Sequence, residues 1–203
     1  MSEIEQTVFV VEDDDAVRDS LLLLLQAEGY RTKGYTNALE FLKEDVCALL
    51  GCLILDIRMP GMTGMELHKK LAEVHCPLPI IFVTGHGDVS IAVEAMRQGA
   101  IDFVQKPYRE HDLLEKVKQA LKLDRDQQES LRYKGELQKR IDSLTPRESE
   151  IMDMMVEGNA NKVIAIDLNI SQRTVEIHRS RVMQKMGTHS LAQLVQMVLA
   201  ARA

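Results

Sequence analysis

Four times in this 203-residue chain a short apolar run delivers a polar or charged residue at its carboxyl end. Thr7–Val11 runs into Glu12 and Asp13, and Cys52-Leu53-Ile54-Leu55 stops at Asp56. Residues 79–83 lead to Thr84, and 100–104 are followed by Lys106-Pro107. Alone, a strand-end acid is most simply a helix cap and a lysine most simply a solvated surface group. Repetition at corresponding positions argues for one shared crevice. Clustered carboxylates repel unless a cation joins them, and hard oxygen ligands with room for water suit Mg²⁺. A carboxylate can also attack phosphorus and form an aspartyl phosphate. Phosphoryl transfer needs in-line positioning, a metal and donors for the equatorial oxygens. In this reading Asp13 and Asp56 hold the metal, with Glu12 acting through water. Thr84 then offers its hydroxyl and Lys106 its charge, from an origin constrained by Pro107. Phe103 reads equally as a core aromatic or as a ring that moves with the site.

The elements that must position these groups alternate. The pattern predicts strands at 7–11, 31–35, 52–55, 79–83 and 100–104, with helices at 16–28, 37–44, 63–74, 88–98 and 110–122. Leu21–Leu25 reads as the buried face of the first helix, which Gly29 closes. Short apolar strands separated by helices imply a parallel sheet covered on both faces, an α/β architecture. Such sheets bind ligands outside the carboxyl ends of their strands, where the strand order reverses.

The remainder is helical. Residues 122–142 are rich in charged residues and Gln, with Leu131, Leu137 and Ile141 spaced along a linker helix too short to establish a coiled coil. Thr145-Pro146-Arg147-Glu148 is a helix start, with an N-cap Thr, Pro at the first position and Glu closing a capping box. That helix buries Ile151, Met152 and Met155 and stops at Gly158. A short helix at 162–168, a turn, and a third helix from the cap Ser171 to Met186 follow, then a fourth opened by Ser190. Two short helices about a tight turn fit a helix-turn-helix. A bundle with a merely solvated charged face fits the pattern too.

Composition bounds the rest. With 45% hydrophobic and 28% charged residues, the chain reads as globular, and its length suits two domains. No apolar stretch is long enough to span a membrane, and the start lacks the order of a secretion signal. Cys47, Cys52 and Cys76 lack metal-ligand spacing, so they read as reduced thiols in a cytosol. Residues 1–124 hold 13 Lys and Arg against 21 Asp and Glu, while residues 125–203 hold 12 against 10. An acidic front and a mildly basic back suggest two tasks, although this charge alone does not establish nucleic-acid binding.

The segments VVEDD, LDIRMPGMTG, VTGHGD and DFVQKP resemble the receiver domain of two-component response regulators, over about residues 5–122. The resemblance implies a flavodoxin-like fold with a five-stranded parallel sheet, and phosphorylation of Asp56 by a sensor histidine kinase in the presence of Mg²⁺. It further implies that the backbone carbonyl of Arg58 completes the metal site of Glu12, Asp13 and Asp56, and that Thr84 and Phe103 form a coupled switch. Glu12 departs from the Asp commoner at its position, which bears on metal affinity and dephosphorylation. The segments SLTPRESEIM, EGNANKVIA and ISQRTVEIHRSRVMQKM resemble the NarL/FixJ (LuxR-type) DNA-binding domain across 142–203, and GHGDVSIAVEAMRQGA is similar to the FixJ-like subgroup. Glu176, Ile177 and Ser180 are thereby implied to face base edges, with a Glu preferring a cytosine amino group. Lys162, Arg173, Thr174, Arg179, Arg181 and Lys185 are implied at phosphates or the groove wall.

The expectation is a receiver at 1–124, a helical linker at 125–141 and an all-α four-helix helix-turn-helix domain at 142–203. It describes a cytoplasmic transcriptional activator that dimerises when phosphorylated, binds double-stranded promoter DNA and engages RNA polymerase. A constitutive DNA-binding protein is the first rival, opposed by the intact set of Asp13, Asp56, Thr84 and Lys106. A metal-dependent phosphatase is the second, and lacks a nucleophile motif after the first strand and a substrate cap. No Gly-x-Gly-x-x-Gly follows the first strand to suggest a dinucleotide enzyme. Autophosphorylation and slow hydrolysis are the only catalysis expected.

Overall fold

The strand Gly51–Asp56 (β3) is buried along its whole length and lies at the centre of a five-stranded parallel sheet. Its companions are β1 (Thr7–Val11), β2 (Arg31–Tyr35), β4 (Ile80–Thr84) and β5 (Asp102–Gln105), in the order β2-β1-β3-β4-β5. The computed structural model describes residues 5–85, 89–97 and 99–202. His86, Gly87 and Asp88 of the VTGHGD motif, and Gln98, lie outside the described residues. The helices are α1 (Asp15–Ala27), α2 (Ala38–Phe41), α3 (Gly64–Glu73), α4 (Val89–Arg97) and α5 (Glu110–Asp142).

Near-continuous apolar strands follow from burial on both faces. Because side chains alternate along a strand, Phe9, Val11, Leu53, Leu55 and Phe82 pack with Phe41, Leu67 and Leu71 of α2 and α3. Val8, Val10, Ile54, Ile81 and Val83 pack the other way, against Leu21 and Leu25 of α1 and Leu113 and Val117 of α5. Of the leucine run of α1, Leu21 and Leu25 are in the core, Leu22 and Leu24 are partly buried, and Leu23 is 67% exposed, because five consecutive residues cannot share one helix face.

Three elements of the first unit differ from the sequence reading by two residues or more, the others by one at most. The helix predicted at 37–44 is one turn, because the bonds Lys43 N–H to Glu40 and Glu44 N–H to Phe41 tighten to the three-residue spacing. The strand predicted at 100–104 begins at Asp102, since Ala100 is still tied to Ala95 and closes α4. The helix predicted to end near residue 122 runs on to Asp142 as a single helix of 33 residues.

The chain divides within α5 into two compact units, Met1–Gln127 and Gln128–Ala203. In the second unit follow α6 (Pro146–Val156), α7 (Asn161–Asp167), α8 (Gln172–Met186) and α9 (Leu191–Arg202). The Thr145–Glu148 capping box is formed in both directions. Leu137 is fully buried with Ile151, Met155, Val175, Val182 and Leu194, and Ile141 and Leu144 pack against them. The spacing of Leu137, Ile141 and Leu144 therefore belongs to this unit's own core.

Candidate phosphoacceptor site and nucleic-acid interface

Parallel pairing brings the carboxyl ends of β1, β3 and β4 side by side. Glu12 follows β1, Asp56 ends β3 and Thr84 ends β4, and all three are buried. Lys106 follows β5, with its backbone N–H donating to the Thr84 carbonyl at 2.7 Å. Its ammonium donates to Glu12 Oε2 at 2.7 Å and to Asp56 Oδ1 at 2.9 Å. The Arg58 backbone N–H donates to the second Asp56 oxygen at 2.6 Å. One carboxylate oxygen from each of Glu12, Asp13 and Asp56 lies within 4.8 Å of the others. The structure thus brings together Glu12, Asp13, Asp56, Thr84 and Lys106 from four strand ends.

Electrostatics follow from this burial. Desolvation is the main cause that raises the Glu12 carboxyl above the usual glutamate range, and the Asp56 charge adds to it, against the hydrogen bond from Lys106. Burial would lower Lys106, but its hydrogen bonds to Glu12 and Asp56 outweigh it and raise the ammonium. The site is an acidic pocket closed by an internal cation. Asp13, the exposed member, opens it to solvent.

Phe103 stands on β5 opposite Phe82, one strand from Thr84, and packs partly buried on the core. The four acids 12–15 divide their work. Glu12 and Asp13 enter the pocket, Asp14 caps α1 by accepting the Val17 N–H at 3.1 Å, and Asp15 pairs with Arg18. Reading residue types alone passed over Gly64. A Cβ there would lie 2.2 Å from the Asp56 carbonyl oxygen, so only glycine lets α3 start against the end of β3. The Thr63-Gly64 pair, a cap followed by a residue without a side chain, was the available signal.

In the second unit α7 and α8 are joined by a turn through Asn169, whose φ of 50° is left-handed. Ser171 caps α8 by accepting the Thr174 N–H at 3.1 Å, and the two hydroxyls share a hydrogen bond. Arg173, Glu176, Ile177, Ser180, Arg181 and Gln184 are all exposed. Their spacing is that of one helix face. Ile177, at 46% exposure, is an apolar residue in the middle of it. Gln184 was missed by the sequence reading, although the 3.6-residue period points to it. Lys162 is exposed on α7, whereas Arg179 is half-buried, about 130° around α8 from the centre of the exposed face.

Three basic residues spend their charge on partners within this unit. Lys185 donates to Glu148 Oε2 at 2.6 Å and to the Ser143 carbonyl at 2.9 Å. Arg147 caps the end of α7 at the Leu168 carbonyl, 2.6 Å away, and Arg140 caps α8 at the Met186 carbonyl, 2.8 Å away. Cations at helix carboxyl ends meet the negative end of the helix dipole.

No helix among the described residues is long and apolar enough to cross a membrane. The family model for the response regulator receiver domain matches residues 8–118, and that for bacterial regulatory proteins of the luxR family matches residues 142–198. The response regulator protein TmoT of Ectopseudomonas mendocina is 42% identical, over 96% of this chain and 89% of its own. The transcriptional regulatory protein FixJ of Azorhizobium caulinodans is 44% identical, over 96% and 92%. Among solved structures, the response regulator StyR matches with a TM-score of 0.87 at 40% identity, covering 96% of this chain and 98% of its own. Full-length FixJ from B. japonicum matches with 0.61 at 38% identity, covering 98% of each chain. A receiver implies a kinase partner, and a LuxR-type domain implies DNA. With the strand-end acids and the exposed face of α8, these matches lead to one statement: the chain belongs to the NarL/FixJ family of response regulators, DNA-binding transcription regulators rather than enzymes, with a receiver domain and a LuxR-type helix-turn-helix domain.

Proposed function

We propose that this regulator is switched on by phosphorylation of Asp56 by a sensor histidine kinase, and that the phosphorylated chain dimerises and binds promoter DNA as an activator that engages RNA polymerase in the cytoplasm. The observation that carries this is the pocket in which Lys106 bridges Glu12 and Asp56. The donor set fits Mg²⁺, being three carboxylates whose oxygens lie within 4.8 Å. Asp13, Asp56 and the Arg58 carbonyl would hold the ion, with Glu12 reaching it through water. When bound, the ion neutralises charge on the phosphoryl oxygens.

The chain's own residues do the rest. Asp56 Oδ is the nucleophile: it forms the new P–O bond as the P–N bond to the kinase's phosphohistidine breaks and the imidazole leaves, with the Arg58 N–H fixing the other oxygen of the carboxylate. Lys106, already at the Asp56 oxygen, pairs with the anion that Asp56 acquires, and Thr84 donates its hydroxyl to that anion. Phosphorylation adds about −1.5 to −2 charges to a pocket already crowded with acids. Drawing Thr84 inward leaves room for Phe103 to follow, which alters the surface of β5 and α4 that would form the dimer. Taking such a switch from almost off to almost on needs roughly 5.5 kcal/mol of differential stabilisation. Several charge-assisted hydrogen bonds together with a dimer interface are of that order.

On DNA, the face holding Arg173, Glu176, Ile177, Ser180, Arg181 and Gln184 enters the major groove, with Glu176, Ile177 and Ser180 at base edges. Lys162, Arg173, Thr174 and Arg181 reach phosphates, and Arg179 reaches the groove wall from the flank. Lys185 is left out of this set because its charge is spent on Glu148. The test is a small phosphodonor with Mg²⁺, followed by mass, dimer fraction and promoter binding. One phosphoryl adduct, with gains in dimer and DNA binding that vanish in Asp56→Asn, is expected. Equal DNA binding with and without an adduct would mean a constitutive regulator instead.

A further inference from the structure

We infer that Arg18 is a positioning residue for the metal-binding turn, an inference that rests on the reading of Glu12 and Asp13 given above. Arg18 stands on the second turn of α1, outside the pocket, with its side chain only 12% exposed. Its Nη1 donates to the Glu12 main-chain carbonyl at 2.9 Å. That carbonyl belongs to the peptide joining Glu12 to Asp13, so its plane sets the directions in which both acids leave the backbone. The preceding peptide is held from the other side, where the Glu12 N–H donates to the Tyr35 carbonyl of β2 at 3.2 Å.

The path of the arginine is built into the neighbouring strand. Gly34 of β2 lies beneath its aliphatic stem. A Cβ at Gly34 would fall 3.3 Å from Arg18 Cδ and 2.8 Å from Leu22 Cδ1. The strand therefore carries no side chain where Leu22 and the aliphatic stem of Arg18 pack on it. The second nitrogen, Nη2, pairs with Asp15, whose own side chain is 81% exposed. An exposed pair of that kind contributes little. The carbonyl contact, held on a buried arm, is the one that constrains geometry.

Mg²⁺ demands near-ideal octahedral ligands at short range, so small rotations of a ligand's backbone weaken it strongly. Groups that orient metal ligands cost about 10- to 100-fold in affinity when removed. Arg18 has that relation to two acids at once. A group acting only as one half of a surface ion pair would leave metal binding alone.

The experiment is calorimetric titration of the full-length chain with Mg²⁺, alongside its melting temperature without metal. Arg18→Ala is expected to weaken Mg²⁺ about tenfold. Arg18→Lys, which keeps the charge but not the planar fork, is expected to weaken it as well, and it carries the test if the alanine variant proves too unstable. Asp15→Ala, which removes the ion pair and leaves the carbonyl contact, is expected to bind Mg²⁺ as the parent does. Parent-like affinity in both Arg18 variants, or an equal loss in Asp15→Ala, would overturn the assignment. A parent chain that takes up no Mg²⁺ would instead overturn the metal-site reading itself, and this inference with it.

Discussion

Lys185 of α8 and Glu148 of α6 form a 2.6 Å ion pair, through the same Glu148 oxygen that accepts the Thr145 N–H at 2.9 Å to close the capping box. One buried carboxylate thus starts a helix and ties α8 to it. The hydrogen bond from Lys185, with that from the Thr145 backbone, holds the Glu148 carboxyl down to about 2. Its folded value lies below its ordinary 4.5, so its contribution to stability is complete above that pH and is lost as pH falls toward about 2. Acid unfolding followed by hydrogen exchange in residues 143–186 is expected to show protection falling across this window. Glu148→Gln should flatten that fall.

Lys106 plays the matching role in the receiver, but between two acids. Lys106→Met leaves Glu12 and Asp56 facing each other without a cation, and both side chains are nearly inaccessible. Removing one partner of such a buried group costs about 3–5 kcal/mol. In chelator the variant is expected to lose stability of that order, and Mg²⁺ is expected to restore part of it. Urea unfolding with and without the ion checks both halves.

Gly51 has φ of 132°, and a Cβ there would fall 1.8 Å from the Thr7 carbonyl oxygen. Gly51→Ala must therefore push β1 from β3, and is expected to cost more than about 4 kcal/mol or to prevent folding. Gly29 also has a positive φ, of 84°, but nothing stands near its Cβ position. Gly29→Ala should cost only about 1 kcal/mol. The two urea midpoints separate close approach from backbone strain.

On α8, Arg181 and Arg179 separate by geometry. Arg181→Ala is expected to lower the slope of log affinity against log salt by about 1, the mark of one lost phosphate contact. Arg179→Ala, half-buried on the flank, should change the slope less. Ile177→Ala is expected to alter preference among DNA sequences while leaving the slope in place. Binding measured at several salt concentrations on two operators distinguishes these results.

Leu137 is fully buried in the helix-turn-helix core although it lies within the expected linker. Leu137→Ala is expected to destabilise that unit by about 2–5 kcal/mol. Leu131→Ala, at a residue 58% exposed, should be near neutral. Thermal melts of the two variants decide whether this stretch of α5 belongs to the domain.

Much of this was legible in residue order. Strand-end polarity picked out Glu12, Asp13, Asp56, Thr84 and Lys106, because a parallel sheet must place its carboxyl ends together. The Thr145 and Ser171 caps were legible because capping is local chemistry between residues three apart. What local pattern does not contain is which charged residue finds a partner far along the chain. Lys185 and Arg181 look alike in sequence, yet one meets Glu148 and the other faces solvent. The direction of each depends on how α8 is rotated against α6, and that rotation is set by the packing of Val175, Val182 and Met186 in the core. Arg18 differs, since its target, the Glu12 carbonyl, is only six residues away and the contact is set by the turn from β1 into α1. The sequence by itself determined two domains, their elements and the chemistry at the strand ends. Tertiary structure alone decided which cations are spent inside the fold, because such pairs form between elements that packing, not spacing, brings together.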